Sequence, residues 1–362
     1  MKVPVPAHVR ELRPYIPGKP IEEVQRELGL TDVIKLASNE NPLGPPPRAI
    51  EAIAAAAKGI TLYPEGDAPA LRQAVAKHVQ MPPECLVFGN GSDEIIHLLA
   101  MTFLEPGDEV VQGDPSFAMY EIYTAQCNGR SIKVPLRDQV HDLEAMADAI
   151  TPKTRIVFVA NPNNPTGTFV DRPAVERFLE RVPENVLVVI DEAYHEYVDH
   201  PDAPDLRPLI RDGRDIIILR TFSKAYGLAG LRVGYGMTTP EIAGILNKVR
   251  SPFNVNSLAQ AAATAALQDQ DHIARSIALN AEGLRYFEEE FRRLGLASVP
   301  SQANFILVDV ARDSVAVFQA LQRLGVIIRP GAGLGLPHHI RVSVGTMEQN
   351  QRFIEALEQV LA

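Results

Sequence analysis

The stretch IIILRTFSKAYGLAGLRVGYG, residues 216–236, decides how the rest of this chain is interpreted. Its β-branched start, residues 216–219, predicts a buried strand. Lys224 follows after a threonine and a serine, and Arg232 lies eight residues further on. These groups could bind a phosphorylated carbonyl compound, because an amine forms a Schiff base while hydroxyls and a guanidinium bind phosphate. The alternative is an ordinary solvent-facing lysine at a strand end. The first interpretation requires that other parts of the chain supply the remaining contacts to such a compound.

The composition of the whole chain is that of an ordinary globular protein. Its 362 residues are 46% hydrophobic and 22% charged, and this length usually forms more than one domain. The formal net charge of −10 argues against nucleic acid and anionic membranes as partners. The N-terminal residues lack a signal-like apolar segment, and no apolar run approaches the ~20 residues of a membrane span. We therefore expect a cytoplasmic protein with small-molecule partners.

Strand and helix patterns alternate over most of the chain. Apolar runs that predict strands lie at residues 86–88, 109–111, 156–159, 186–190, 216–219 and 233–235. Because most runs are continuously apolar, we expect a mainly parallel central sheet with helices on both faces. After about residue 251, longer helical patterns and further short strands indicate a smaller α+β domain. The prediction is an α/β fold with a large domain of residues 35–250 and a small domain formed by residues 1–34 and 251–362.

Polar and aromatic residues follow several of these predicted strands. Asp191 ends one strand, where a carboxylate could pair with a protonated ring nitrogen and let the ring accept electrons. Tyr194, three residues later, and Asn164, in the turn NPNNPTG at 161–167, could both hydrogen-bond a phenolate oxygen. Phe117 follows another strand and could stack on a ring. Asp191 as a helix cap and Phe117 as a core residue are the ordinary alternatives.

A turn with glycines follows the predicted strand at 86–88. Gly91, Ser92 and Asp93 lead into a helix for which Ser92 is the predicted N-cap. Free backbone N–H groups at a helix start bind anions, so the turn is a candidate phosphate site. It is not a dinucleotide-binding motif, because Glu94 stands where the third glycine would be.

A metal site is the competing chemical interpretation. Glu192, His195 and Glu196 could share one helical face, but no further ligand of suitable spacing is visible, so we expect no metal. The candidate groups occur in a fixed order along the chain, each after a predicted strand: the anion-binding turn at 91–93, Phe117, Asn164, Asp191 and Lys224. Together they predict pyridoxal 5′-phosphate as the cofactor.

These motifs resemble those of the fold-type I pyridoxal-phosphate aminotransferases, and the resemblance covers nearly the whole chain. The segments similar to the general family are NPNNPTG at 161–167, DEAY at 191–194 and TFSKAYGLAGLRVGY at 221–235. The segments that resemble its histidinol-phosphate branch are LRPYIPG at 12–18, IKLASNENPLGPPP at 34–47 and IRVSVGT at 340–346. The fold implied is that of a fold-type I transferase.

The resemblance implies a role for each candidate residue. Lys224 would carry the cofactor and move the substrate's proton, and Asp191 would pair with the ring nitrogen. The other implied cofactor contacts are Gly91, Ser92, Asp93, Phe117, Asn164, Tyr194, Thr221, Ser223 and Arg232. Tyr63 would reach the cofactor phosphate of a neighbouring subunit, which implies a homodimer with shared active sites. The implied substrate contacts are Tyr15, Arg329 and Arg341.

The activity that the resemblance implies is amino transfer between L-histidinol phosphate and 2-oxoglutarate, a step of histidine biosynthesis. An aromatic amino-acid aminotransferase or a threonine-phosphate-type decarboxylase would use the same cofactor residues. A cofactor-binding regulatory protein would need an added DNA-binding domain, for which the length and acidic charge leave no room. Phe117 departs from the branch, which more often has tyrosine there; stacking survives this change, but a hydrogen bond from the hydroxyl does not.

Overall fold

The computed structural model describes residues 3–12, 14 and 18–362. Its α-helices are α1 (Ala7–Glu11), α2 (Ile21–Leu28), α3 (Pro47–Ala56), α4 (Pro69–Val79), α5 (Ser92–Phe103), α6 (Met119–Gln126), α7 (Leu143–Asp148), α8 (Arg172–Arg181), α9 (Arg207–Arg211), α10 (Pro240–Val249), α11 (Ser257–Ala266), α12 (Gln270–Arg293), α13 (Ser314–Arg323) and α14 (Met347–Leu361). Within the described residues, none of these helices is both long and apolar enough to cross a bilayer.

The strands of the described residues divide among three sheets. They are β1 (Ile34–Lys35), β2 (Leu86–Gly89), β3 (Glu109–Asp114), β4 (Arg130–Pro135), β5 (Thr154–Ala160), β6 (Leu187–Asp191), β7 (Ile216–Thr221), β8 (Gly234–Met237), β9 (Ala297–Val299), β10 (Phe305–Asp309), β11 (Val326–Ile327), β12 (Arg329–Pro330) and β13 (His339–Ser343). The largest sheet has the order β2-β8-β7-β6-β5-β3-β4.

The largest sheet is mainly parallel. β3 pairs in parallel with β4 and β5, β5 with β6, and β6 with β7. Along β5, Val157 and Val159 enter one hydrophobic cluster while Ile156 and Phe158 enter another, because alternate side chains point to opposite faces. The sheet is therefore buried on both sides, and the predicted α/β fold with helices on both faces is confirmed.

The strand predicted at 233–235 differs from its neighbours in direction. β8 is antiparallel to both β7 and β2. The connection between β7 and β8 spans residues 222–233, and its two ends are joined by a hydrogen bond from the Phe222 N–H to the Val233 carbonyl. Because β2 and β7 both oppose β8, the carboxyl ends of β2, β3, β5, β6 and β7 lie at one edge of the sheet.

A four-stranded antiparallel sheet, in the order β12-β13-β10-β9, forms the second core. Phe287, Phe291 and Phe353 pack together beside it, with ring centroids 5.7–6.3 Å apart. The helix α11 lies beyond the expected boundary at residue 250, yet its buried alanines belong to the hydrophobic cluster of the large sheet. The division into domains of 35–250 and of 1–34 with 251–362 stays a prediction.

Candidate active site

A cavity of about 300 Å³, hereafter the site cavity, lies at the edge where the parallel strands end. The sequence-predicted residues that line it are Gly91, Ser92, Asp93, Phe117, Asn164, Asp191, Tyr194, Thr221, Ser223, Lys224, Arg232, Arg329 and Arg341. Tyr15 lies outside the described residues. The residues that follow the strands of the large sheet meet here because the parallel strands end at the same edge, whereas Arg329 and Arg341 come from the antiparallel sheet.

Lys224 lies in the turn after β7, with its amine inside the cavity wall. Its Nζ donates to the Ser38 carbonyl at 3.1 Å and lies 5.8 Å from the centroid of the Tyr194 ring. Burial, and next the positive charge of Arg341, lower the pKa of Lys224 from 10.5 to about 8. More of the amine is therefore neutral near neutral pH than in an ordinary lysine, and the neutral form can act as a nucleophile or a base.

Asp191 ends β6 and is only 5% exposed. Its Oδ2 accepts a hydrogen bond from the Tyr120 hydroxyl at 2.7 Å, whereas its buried Oδ1 has no partner among the described residues. Burial raises the pKa of Asp191 to about 6, although the Tyr120 hydrogen bond opposes the shift. A buried carboxylate oxygen without a hydrogen-bond donor destabilises the folded protein, so a cationic N–H group bound in the cavity would stabilise Oδ1.

The turn before α5 forms the opposite end of the cavity. The helix begins at Ser92 with Gly91 at the N-cap, where φ is +81° and no side chain caps. The prediction of Ser92 as the N-cap is wrong by one residue, because the left-handed backbone that the turn needs favours glycine. A Cβ on Gly91 would come within 2.6 Å of Arg232 Nη2, and one on Gly234 within 2.4 Å of the Ser92 nitrogen.

The side chains that face this turn are polar and close to one another. Thr221 Oγ1 donates to Ser223 Oγ at 3.0 Å, and Arg232 Nη1 donates to the same oxygen at 3.4 Å. Burial raises the pKa of Asp93, which accepts a hydrogen bond from the Tyr123 hydroxyl at 2.8 Å. Backbone N–H groups at a helix start, two hydroxyls and a guanidinium together suit a phosphate group.

Two arginines from the antiparallel sheet form the third wall. Arg329 on β12 is the register partner of Arg341 on β13, so their side chains share a face. Arg341 is 7% exposed; its Nη2 donates to the Ala37 carbonyl at 2.7 Å and its Nη1 donates to Asn164 Oδ1. Because the amide oxygen of Asn164 faces the arginine, its NH₂ group is left to donate elsewhere in the cavity.

Sequence reasoning missed two polar contacts of the cavity. Tyr120 packs flat on Phe158 at 4.4 Å and edge-on to Phe117 at 5.6 Å, which aims its hydroxyl at Asp191. It lies one helical turn after Phe117, and that spacing is the signal that could have found it. Asn39 donates from Nδ2 to the Tyr194 hydroxyl at 2.9 Å, a contact between residues 155 positions apart.

Tyr63 lies away from the site cavity of its own chain. Its side chain is 82% exposed and stacks on Phe253 with ring centroids 4.8 Å apart. The expectation that it reaches the cofactor of a second subunit stays a prediction.

Two of the residues considered for a metal, Glu192 and His195, have other partners. Glu192 Oε2 accepts two charge-assisted contacts from buried Arg220 at 2.8 Å, and His195 Nδ1 lies 3.4 Å from the same oxygen. No group of three metal-ligating side chains occurs among residues 3–12, 14 and 18–362.

The cavity fits the cofactor expected from the sequence. The unpartnered Asp191 Oδ1 suits a protonated ring nitrogen, Phe117 offers a stacking face, and the glycine-lined turn beside Arg232 suits a phosphate. A lysine amine with a lowered pKa lines the same cavity. A pyridoxal phosphate site on a mainly parallel α/β sheet defines the class of protein.

Comparison with known proteins agrees with that class. The model of the family "aminotransferase class I and II" matches residues 31–357, and the chain belongs to this family. Histidinol-phosphate aminotransferase from Moorella thermoacetica is 55% identical over 355 residues, covering 98% of this chain and 92% of the relative. The enzyme of the same name from Symbiobacterium thermophilum is 50% identical, covering 98% and 97%.

A solved structure extends the comparison to the fold. Histidinol-phosphate aminotransferase from Sinorhizobium meliloti, in complex with pyridoxal-5′-phosphate, superposes with a TM-score of 0.91 at 32% identity. The alignment covers 98% of this chain and 96% of that chain.

Proposed function

We propose that this protein is a pyridoxal-phosphate-dependent aminotransferase that transfers the amino group between L-histidinol phosphate and 2-oxoglutarate, as a step of histidine biosynthesis. The observation that carries the proposal is one cavity in which a half-buried lysine, an unpartnered buried carboxylate oxygen and two arginines meet. The names of the relatives that are about half identical support the substrate.

The large sheet supplies the groups that hold the cofactor. Lys224 would bind it covalently, Asp191 would pair with its ring nitrogen, and Phe117 would stack on the ring. Gly91, Ser92, Asp93, Thr221, Ser223 and Arg232 would hold its phosphate, and Asn164 and Tyr194 its phenolate oxygen. When bound, pyridoxal phosphate supplies an electron sink that stabilises the negative charge left on the substrate's α-carbon.

Lys224 then acts as the proton carrier. Once substrate has displaced it, its amine is neutral in part, because burial and Arg341 lower its pKa to about 8. Its Nζ can take the α-proton and return it at a second carbon nearby. Asp191 remains anionic as long as a cation lies against Oδ1, because an opposite charge offsets the burial that raises its pKa.

Arg329 and Arg341 would bind the anionic end of either substrate. A guanidinium makes paired hydrogen bonds to a phosphate or a carboxylate, so the same two side chains suit histidinol phosphate and 2-oxoglutarate. The Ala37 carbonyl and Asn164 hold Arg341 in place, which reduces the ordering needed when substrate binds. Tyr15 is proposed to line the same pocket.

A homodimer in the cytoplasm completes the proposal. Ile60 and Leu62 are 63% and 74% exposed beside Tyr63 and Phe253, and such an apolar surface suits a second copy of the chain. Tyr63 would then contact the cofactor phosphate of the partner.

A substrate panel tests the function. Purified protein loaded with pyridoxal phosphate is given histidinol phosphate, phenylalanine or threonine phosphate, with and without 2-oxoglutarate, and ketone, glutamate and carbon dioxide are measured. We expect glutamate only with an acceptor present, and the highest kcat/KM with histidinol phosphate. Preference for phenylalanine would indicate an aromatic aminotransferase, and acceptor-independent release of carbon dioxide would indicate a decarboxylase.

A further inference from the structure

Asn39 occupies a buried position with a left-handed backbone and several hydrogen bonds at the edge of the site cavity. It is 1% exposed, lines the cavity, and has φ of +57°, a backbone conformation that asparagine tolerates better than most residues. Its backbone N–H donates to Ser343 Oγ at 2.8 Å, and its carbonyl accepts from Asn304 Nδ2 at 2.9 Å. These contacts attach the 37–40 segment to the antiparallel sheet.

In the structure the Asn39 amide oxygen faces Ser343, and the hydrogen bonds around Ser343 fit this orientation. Because Ser343 Oγ accepts from the Asn39 backbone N–H, its single proton is free to be donated, and Asn39 Oδ1 lies 2.8 Å away as the acceptor. The amide NH₂ must then face the Tyr194 hydroxyl, at 2.9 Å.

An NH₂ group can donate but not accept. The Tyr194 hydroxyl therefore accepts from Asn39, and its own proton must be directed to a different acceptor. Resting on the proposed function, we infer that Asn39 is a positioning residue that keeps Tyr194 a hydrogen-bond donor toward the phenolate oxygen of pyridoxal phosphate.

The same contacts connect Tyr194 with the substrate-binding wall. Ser343 and Arg341 are two residues apart on β13, and residues at that spacing share a face of a strand. Arg341 also donates to Ala37, in the segment that carries Asn39. The proton direction of Tyr194 is thus set by residues on the antiparallel sheet.

A double-mutant cycle on Asn39 and Tyr194 tests the inference. Asn39→Asp keeps the shape and tolerates a positive φ, but it replaces the donor by an acceptor that attracts the Tyr194 proton. Four proteins are compared: the natural chain, Asn39→Asp, Tyr194→Phe and the double variant. The readout is the pH midpoint of the visible absorbance change of the lysine-bound cofactor.

A donor to the phenolate oxygen stabilises the deprotonated, anionic form of the linkage, so its loss raises the midpoint. The charged groups near the linkage, namely Lys224, Arg341, Arg232, Glu40, Lys35 and Asp191, are the same in all four proteins. The new negative charge of the aspartate shifts the midpoint whether residue 194 is tyrosine or phenylalanine. Comparing the two backgrounds therefore removes this contribution. We expect Asn39→Asp to raise the midpoint by about one pH unit more when Tyr194 is present than when phenylalanine replaces it.

Two further variants keep the result decisive. Asn39→Gly accepts the positive φ and removes the donor without adding charge, and we expect a smaller coupling of the same sign; it replaces Asn39→Asp in the cycle if that variant does not fold. Asn41→Asp is the matched control, because buried Asn41 donates to Ala225 and Ser276 and to no atom of Tyr194. Its shift should be equal with tyrosine or phenylalanine at position 194.

Equal shifts of Asn39→Asp in the two backgrounds would overturn the inference. That outcome differs from a failure of the proposed function, in which the natural chain itself would show no cofactor absorbance to titrate.

Discussion

The wall of the site cavity formed by the large sheet and the wall formed by the antiparallel sheet hold their polar groups differently. On the large sheet, Asp191 and Lys224 lie at the ends of buried strands, and burial is the main cause of both pKa shifts. On the antiparallel sheet, Arg329 and Arg341 are register partners, and Arg341 is held by acceptors from other segments. Guanidinium groups stay charged throughout the physiological pH range.

This difference suggests a division of labour between the two walls. Proton transfer needs groups whose charge can change near neutral pH, and burial between packed strands provides them. Binding of an anion needs a permanent charge in a defined orientation, which a hydrogen-bonded arginine provides. Substitutions in the two walls should therefore have different consequences, and three experiments test this.

The largest effect is expected at Lys224. Lys224→Ala should abolish nearly all turnover, by about 10⁴-fold or more, because the residue is both the attachment point and the proton carrier. The visible absorbance of the covalently bound cofactor should disappear as well. Turnover and spectra of Lys224→Ala are compared with those of Lys248→Ala, an exposed lysine on α10. Normal turnover in Lys224→Ala would refute the assignment of the base.

The next effect is expected at Asp191, where activity and stability should move in opposite directions. Asp191→Asn should lower kcat by about 10³-fold, because a neutral amide does not keep the ring nitrogen protonated. The folded pKa is about 6 against an ordinary 3.8, so the folded protein binds the proton more tightly than the unfolded chain. Burying this carboxylate therefore destabilises the cofactor-free protein above about pH 6, and Asp191→Asn should stabilise it there by roughly 1–3 kcal/mol.

Urea unfolding of the cofactor-free protein measures this stability change. The extra free energy of unfolding that Asp191→Asn provides should fall by roughly 1 kcal/mol between pH 7 and pH 5, because the carboxyl of the natural protein becomes protonated over this range. Asp212→Asn, at an exposed position, is the control. A loss of stability in Asp191→Asn at pH 7 would mean that Oδ1 is not an unsatisfied anion.

The smallest effects are expected in the arginine wall. Arg341→Lys should lower kcat/KM about 100-fold for both substrates, because lysine cannot hold its two acceptors and bind an anion in the same orientation. Arg329→Lys should lower kcat/KM about tenfold with the phosphorylated amine and less with 2-oxoglutarate, because a carboxylate carries less charge and fewer acceptor oxygens than a phosphate group. Steady-state kinetics of both half-reactions measure this, with Arg275→Lys on the exposed face of α12 as control. Equal effects on both substrates in Arg329→Lys would contradict a phosphate-binding role.

Much of the large-sheet wall could be predicted from short segments. Lys224, Asp191 and Asn164 each follow a run of β-branched residues, and a parallel sheet places such positions at one edge. The direction of β8 could not be obtained in this way, because a continuous apolar run reflects burial on both faces, and β8 is buried on both faces although it pairs antiparallel. The exposed edge strand β4 was also missed, because its side chains are not continuously apolar.

The amino-acid sequence by itself determined the fold class, the family and many of the residues that line the site cavity, since local patterns carry that information. Only the tertiary structure decided that Tyr120 donates to Asp191, that Arg341 donates to Ala37 and Asn164, and that Asn39 donates to Tyr194. Asn39 and Tyr194 are 155 residues apart along the chain, and Arg341 and Ala37 are 304 residues apart. Contacts over such separations depend on how sheets pack against each other, and no local pattern encodes that packing.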